Sequence, residues 1–375
     1  MIQESVKIKN LFLSLGYKEE EYKRVIETMD INENNEERVI ERVKEIYKYL
    51  LKNYTKEEII KMTNALPSIF LYKIDNLEQK INNLISLGYS KNDIINMTKS
   101  FPSALTHSVD NIKQKIEDMV SLGFDKEEVI KITKNNPSVF IYSIDSIKQK
   151  INDISDLGYT KEETVKMLKS FPSIFGYSID NIKQKIEDMI SLGYSKKEVI
   201  KMTNSTPTIF GYSIVNISKK IEDMIFLGYT KEEVIKITVF FPKIFGSSID
   251  SIKQKIDEIM SLGYSKEETI TMTKSLPSIF TMSIESIKEK IKFYDSIDMH
   301  DLAVVAPKEL MQSTQLSYAR YMFYRDKEIK IDMSNYTKLF IRNKKFEKQY
   351  GIKKEELLSK YSYLGEIEGF GGLKW

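Results

Sequence analysis

Apolar residues in this chain recur at spacings of three and four, with no stretch of strict alternation. In the segment that follows Ser178, Ile179, Ile182, Ile186 and Met189 or Ile190 form one stripe, the signature of an amphipathic helix with a single buried side. A shorter stripe, Val199, Ile200 and Met202, marks a second helix. The punctuation between the stripes is specific. Thr160-Lys-Glu-Glu163 reads as a capping box, and it recurs as Thr55 to Glu58, Ser195 to Glu198, Thr230 to Glu233 and Ser265 to Glu268. The helix it opens must end before a proline, because the residue preceding proline is pushed out of the α region. Proline itself suits the first turn of a short helix, so Pro-Ser-Ile-Phe predicts one further turn. Ser178 then caps the longer helix, Asp180 complements its dipole, and Leu192-Gly193-Tyr194 stops it with a left-handed glycine followed by an apolar contact.

These elements repeat. Pro67, Pro102, Pro137, Pro172, Pro207, Pro242 and Pro277 are each 35 residues apart, and Gly88, Gly123, Gly158, Gly193, Gly228 and Gly263 keep the same interval. Two independent backbone markers with one period predict an all-α superhelical solenoid of tandem helix–turn–helix units. Residues 1–54, with Leu15-Gly16-Tyr17 and a helical stretch from Glu36 to Lys52 but no proline marker, read as a degenerate N-terminal capping unit. Seven repeats fill 55–299. A shortened terminal repeat, 300–326, carries Pro307 only 30 residues after Pro277, and 327–375 reads as a basic, polar helical tail ending in a loose glycine-rich segment at Gly369–Gly372.

Composition narrows the chemistry. Cysteine is absent and only His107 and His300 supply imidazoles, so thiolate metal sites and most nucleophile–base pairs lack parts. No acid/base pair, metal cluster or glycine-rich phosphate loop can be assembled, so the expectation is a protein that is not an enzyme, with no metal and no cofactor. No apolar run of 18 residues is present and the N-terminus has neither a signal-peptide core nor a transit-peptide composition, which predicts an intracellular, cytoplasmic protein that does not enter membranes. Net charge is +3, too small to decide for or against nucleic acid.

Leu-Gly-Tyr, the capped helix, then Phe-Pro-Ser-Ile-Phe-Gly-Tyr-Ser and Ile-Asp-Asn-Ile-Lys-Gln-Lys-Ile together resemble the repeat of the mitochondrial transcription termination factor (mTERF) family, over roughly residues 55–325. The resemblance implies two helices and a short 3₁₀ helix per repeat, curved into a superhelix whose positive concave face binds nucleic acid. The units here are more alike than is usual in that family, and no obvious organelle-targeting segment precedes them. The period is also close to that of one-base-per-repeat DNA readers, but a proline stands where their paired glycines would be.

A solenoid that tracks a phosphate backbone should present cations at one place in successive units. The most faithful row is Lys80, Lys115, Lys150, Lys185, Lys220, Lys255 and Lys290, midway along the longer helix, with Arg320 at the equivalent place in the shortened unit. The competing reading is an intrahelical pair with an acid three residues on, such as Lys185 with Asp188. Lys99, Lys134, Lys169 and Lys274 lie three residues before proline, where the helix dipole also favours them, with Asn64 and Asn204 in the row and Val239 as its exception. A third row, Lys56, Lys91, Lys126, Lys161, Lys196, Lys231 and Lys266, follows the first cap and reads as a solvated end. Lys166 is accounted for by Glu162 four residues before it.

Residues 300–375 carry fourteen Lys and Arg against ten acids, including Arg320, Arg325 and Arg342, interleaved with Tyr318, Tyr321, Phe323 and Tyr324. Tyr142, Tyr177 and Tyr212 are in register and suit packing between units better than base stacking. The expected partner is nucleic acid, double-stranded DNA ahead of RNA, bound by a monomer that regulates transcription. Seven to nine units would span roughly 70–90 Å, or about 20–26 base pairs. The alternative is a scaffold that holds a protein segment in its groove, which near-neutral repeats favour.

Overall fold

Each repeat folds as its punctuation dictates. In the computed structural model, which describes residues 6–29 and 34–361, the Thr160 Oγ1 accepts from the Glu163 amide at 3.1 Å while Glu163 Oε2 accepts from the Thr160 amide at 2.8 Å, so the capping box closes in both directions. Phe171, before Pro172, has φ −139° and ψ 70°, outside the helical region, and Pro172–Gly176 is a 3₁₀ turn. Ser178 Oγ accepts from the Asn181 amide at 3.1 Å and opens the longer helix. Gly193 closes it at φ +111°, a conformation open at little cost only to glycine.

The chain runs α1 (Val6–Leu15), α2 (Glu19–Glu27) and α3 (Glu36–Leu50), then pairs of helices separated by the 3₁₀ turns. The shorter, first helices are α4 (Lys56–Ala65), α6 (Lys91–Ser100), α8 (Lys126–Asn135), α10 (Lys161–Ser170), α12 (Lys196–Ser205), α14 (Lys231–Phe240) and α16 (Lys266–Ser275). The longer, second helices are α5 (Ile74–Leu87), α7 (Val109–Ser121), α9 (Ile144–Asp156), α11 (Ile179–Ser191), α13 (Ile214–Phe226), α15 (Ile249–Met260) and α17 (Ile284–Ser296). A reduced pair, α18 (Leu302–Val305) and α19 (Thr314–Asp326), precedes α20 (Asn343–Tyr350) and α21 (Lys354–Lys360). No strand occurs among the described residues.

Two compact units divide the chain, residues 1–183 and 184–375. In the first, the N-terminal helices pack Phe12, Tyr22, Val25 and Ile46 against Ile59 and Phe70 of the first full repeat. Residues 6–50 therefore supply one wall of a continuous core. In the second, Ile259, Met272, Ile287 and Ile291 join Tyr321, Phe323, Phe346 and Leu357 in one cluster. The segment 327–361 is thus not a free polar tail: Leu339, Phe346 and Leu357 are buried, and α21 packs on α19. The glycine-rich segment Gly369–Gly372 lies outside the described residues.

Tyrosine at the Leu-Gly-Tyr stop does more than cover apolar surface. Tyr89 Oη meets Thr133 Oγ1 at 2.6 Å, in α8, the first helix of the repeat after next, and Thr133 Oγ1 donates to the Val129 carbonyl at 2.8 Å. Tyr54 with Thr98, Tyr194 with Thr238, and Tyr229 with Thr273 repeat the pair at 2.6–2.7 Å. At the one register where Phe124 replaces the tyrosine, Leu168 replaces the threonine, and both are buried. At this seam the two hydroxyls are present together or replaced together.

Candidate nucleic-acid interface

The stripe of the longer helix buries Ile182, Ile186 and Met189, leaving the lysine midway along it half-buried at the edge of the seam between repeats. From there the ammonium reaches forward to a backbone carbonyl 27 residues on, at the end of the next 3₁₀ turn. Lys115 donates to the Tyr142 carbonyl and Lys150 to that of Tyr177. Lys185 donates to the Tyr212 carbonyl and Lys220 to that of Ser247, both at 2.5 Å. Terminal carbonyls of a helical turn lack partners within it, so a cation supplied by the preceding repeat is their cap. Burial lowers the pKa of Lys80, Lys115, Lys150, Lys185 and Lys220.

The ends of this row differ. Lys255 pairs with Glu258 at 2.9 Å, the intrahelical arrangement that the spacing allows throughout the row. Lys290 is 1% exposed, its Nζ 3.5 Å from Ser317 Oγ, and burial pulls its pKa down to about 7. Arg320 is 3% exposed and donates to the Leu339 carbonyl at 2.8 Å and to Asn343 Oδ1 at 2.7 Å, with its guanidinium over the Phe346 ring. Lys290 and Arg320 therefore have no head group to offer a ligand. Arg325, in the last turn of α19, is partly exposed.

The row before proline is also used between repeats. Lys99 pairs with Glu58 at 2.9 Å, Lys134 with Asp93 at 3.0 Å, Lys169 with Glu128 at 2.7 Å and Lys274 with Glu233 at 3.0 Å. Each acid is the third-position residue of the preceding capping box. It accepts from the capping residue's amide on one side and from the lysine on the other, and the lysine contributes to holding the pKa of Glu58, Asp93, Glu128 and Glu233 down. In the third row, Lys231 lies over Gly193 with Cε 3.3 Å and Nζ 3.5 Å from where a Cβ would stand, and Lys266 covers Gly228 in the same way. Gly193 closes α11 and Gly228 closes α13, so each cation sits by the C-terminus of a longer helix one repeat further back than its immediate predecessor, where the dipole favours it.

One row remains. Lys61, Lys131, Lys166 and Lys236 are exposed on the first helices and form no ion pair, although Glu57, Glu127, Glu162 and Glu232 each stand four residues before them. Lys201, in the same register, has Lys197 four residues before it and lies 4.3 Å over the Phe240 ring. The row is visible in the sequence in the 35-residue register, with Asn96 and Thr271 as its exceptions. Its i,i+4 acids disguise it there as a set of intrahelical pairs, and the structure leaves those pairs open. In 327–361, ten Lys and Arg stand against five acids and none of the ten is in an ion pair.

The aromatic candidates belong to the interior. Tyr321, Phe323 and Tyr324 are at most 2% exposed. Tyr142 stacks at 6.2 Å on Phe175 with its hydroxyl over Gly176, and the Tyr212 hydroxyl stands over Gly246. His107 stacks on Phe101, and His300 stacks on Tyr264 and bonds Asp295 at 2.6 Å. Among the described residues no cluster of His, Asp and Glu is arranged to hold a metal ion, and no helix is long and apolar enough to cross a membrane.

No curated protein matches the chain. The mTERF family model matches it twice, over residues 3–191 and 181–347, which takes in the N-terminal helices and residues 327–347 as well as the repeats. With capped helices, proline-started 3₁₀ turns and the family's match across nearly its whole length, the chain belongs to the mTERF family of nucleic-acid-binding repeat proteins.

Proposed function

We propose that this protein binds nucleic acid by its phosphates, with duplex DNA as the ligand and regulation of transcription as the outcome. The supporting observation is the row Lys61, Lys131 and Lys166 in the first unit, and Lys201 and Lys236 in the second: exposed, ion-pair-free cations at one register of five of the seven repeats, with Asn96 and Thr271 at the other two. Regular spacing suits a ligand whose charge is itself regular. Arg325 and the unpaired cations of 327–361 extend the same chemistry. Lys115, Lys150, Lys185 and Lys220, with Lys99, Lys134, Lys169 and Lys274, act instead by keeping neighbouring repeats in register.

Fluorescence anisotropy with labelled duplex DNA and with RNA of the same sequence, across a salt series, tests this. We expect affinity to fall steeply with salt. Lys131→Ala, Lys166→Ala and Lys201→Ala combined should reduce the slope of log K against log salt by about 3, about 1 for each phosphate no longer neutralised, without lowering the melting temperature. Equal binding of RNA would move the ligand class, and no salt-dependent binding of either would overturn the proposal. The second reading, a scaffold for a protein segment, is favoured by the use of three lysine rows inside the array. Stoichiometric recovery of a protein partner with no nuclease-protected nucleic acid is its outcome.

A further inference from the structure

The repeats are controls for one another. At exposed positions a residue that departs from all its counterparts is not demanded by the fold, and α13 departs at both ends of one face. Its buried side, Ile217, Ile221 and Met224, is ordinary. Its outer side carries Val215, 70% exposed, and Phe226, 90% exposed. Every other longer helix of the seven has an acid at the first of these places and serine or aspartate at the second; in α15 they are Asp250 and Ser261.

Val215, Lys219, Glu222 and Phe226 are spaced four, three and four, so they form one stripe on α13. Val215 and Phe226 are separated by about 16 Å along the axis and only about 20° around it. The stripe reads apolar, cation, anion, apolar. Reversed and laid against itself, it places Val215 on Phe226 of the second copy, and Lys219 on Glu222 of the second copy, with both contacts repeated by the two-fold axis. That is the self-complementarity an isologous interface requires. Lys219 forms no ion pair within the chain, and Glu222 accepts only from Ser218 at 3.2 Å.

We infer that α13 is a self-association surface, through which two copies of this protein pair antiparallel, helix against helix. The neighbouring stripe of α15, Asp250, Gln254, Asp257 and Ser261, offers no apolar continuation. The contact is therefore confined to one helix. It buries less than the ~1,200 Å² of a stable interface, and the pairing is a reversible one.

Sedimentation equilibrium of the nucleic-acid-free protein from about 1 to about 500 μM reads it directly, a range set by the small contact area. The wild type shifts from monomer to dimer. Val215→Asp with Phe226→Ser, which restores the residues of the other repeats, weakens dimerisation at least about tenfold and leaves the melting temperature unchanged. Lys219→Glu weakens it, and Lys219→Glu with Glu222→Lys restores it. Because the chain has no cysteine, Val215→Cys with Phe226→Cys gives a covalent dimer on oxidation, whereas either cysteine alone, about 16 Å from its own copy, does not. A wild type that stays monomeric throughout, a dimer indifferent to Val215→Asp with Phe226→Ser, or cross-linking by the single cysteines each overturns the inference. Nucleic-acid binding is measured separately and stands or falls on its own.

Discussion

Lys290 shows how one position can change its physics while keeping its identity. Its counterparts Lys185 and Lys220 reach a carbonyl from the edge of a seam. Lys290 Nζ stands 3.5 Å from Ser317 Oγ with the partly buried Glu309 attracting it, and burial outweighs the attraction of Glu289 and Glu309. The folded-state pKa near 7 lies below the ordinary lysine value of 10.5, so between those limits the unfolded chain binds the extra proton. Stability from this group therefore rises as pH increases from about 7 towards 10.5, and is least below 7, where the buried amine must carry its charge. Lys290→Met should raise the melting temperature more at pH 6 than at pH 10, as thermal denaturation at the two pH values would measure. An equal shift at both would show that burial leaves the amine's pKa at its ordinary value.

Between helices, the exchange of Tyr–Thr for Phe–Leu is a natural double substitution. Phe124→Tyr alone places a hydroxyl against Leu168 with nothing to receive it, at a cost of about 1–3 kcal/mol. Adding Leu168→Thr restores the pair made by Tyr89 and Thr133 and should recover most of that loss, a coupling that urea denaturation of the four variants would expose. The helices themselves are legible from their ends. Thr160, Glu163, Pro172, Ser178 and Gly193 each act on backbone groups within a few residues, and chain distance is then a good guide to contact. Lys185 and Lys169 are not legible in the same way. Their partners, Tyr212 and Glu128, are 27 and 41 residues away, whereas sequence spacing points only to a ligand or to their own helix. Lys166 misleads in the opposite sense, because a favourable i,i+4 spacing permits an exposed pair without enforcing one.

At the scale of the array, Lys115, Lys150, Lys185 and Lys220 each supply a cation to the repeat that follows. The final repeat has no successor. There arginine stands in the lysine register, and its planar head takes the Leu339 carbonyl and Asn343 at once, tying the last repeat to 327–361. Deleting residues after 326 strands a buried guanidinium, and the expected result is a chain that aggregates or melts cooperatively at lower temperature, read by light scattering and calorimetry. Arg320→Lys in the full chain should lower the melting temperature as well, since one ammonium cannot replace the two-pronged contact.

The forward cation also bears on how such a chain can change over generations. A donor and its acceptor lie 27 residues apart inside a 35-residue period, so copying or losing one whole period between Lys115 and Tyr212 leaves each donor facing an acceptor. Unequal recombination by whole periods in that stretch therefore keeps the cation register, while a gain or loss of any other length breaks it. The ends are exempt from this freedom, and Arg320 fixes where the counting must stop.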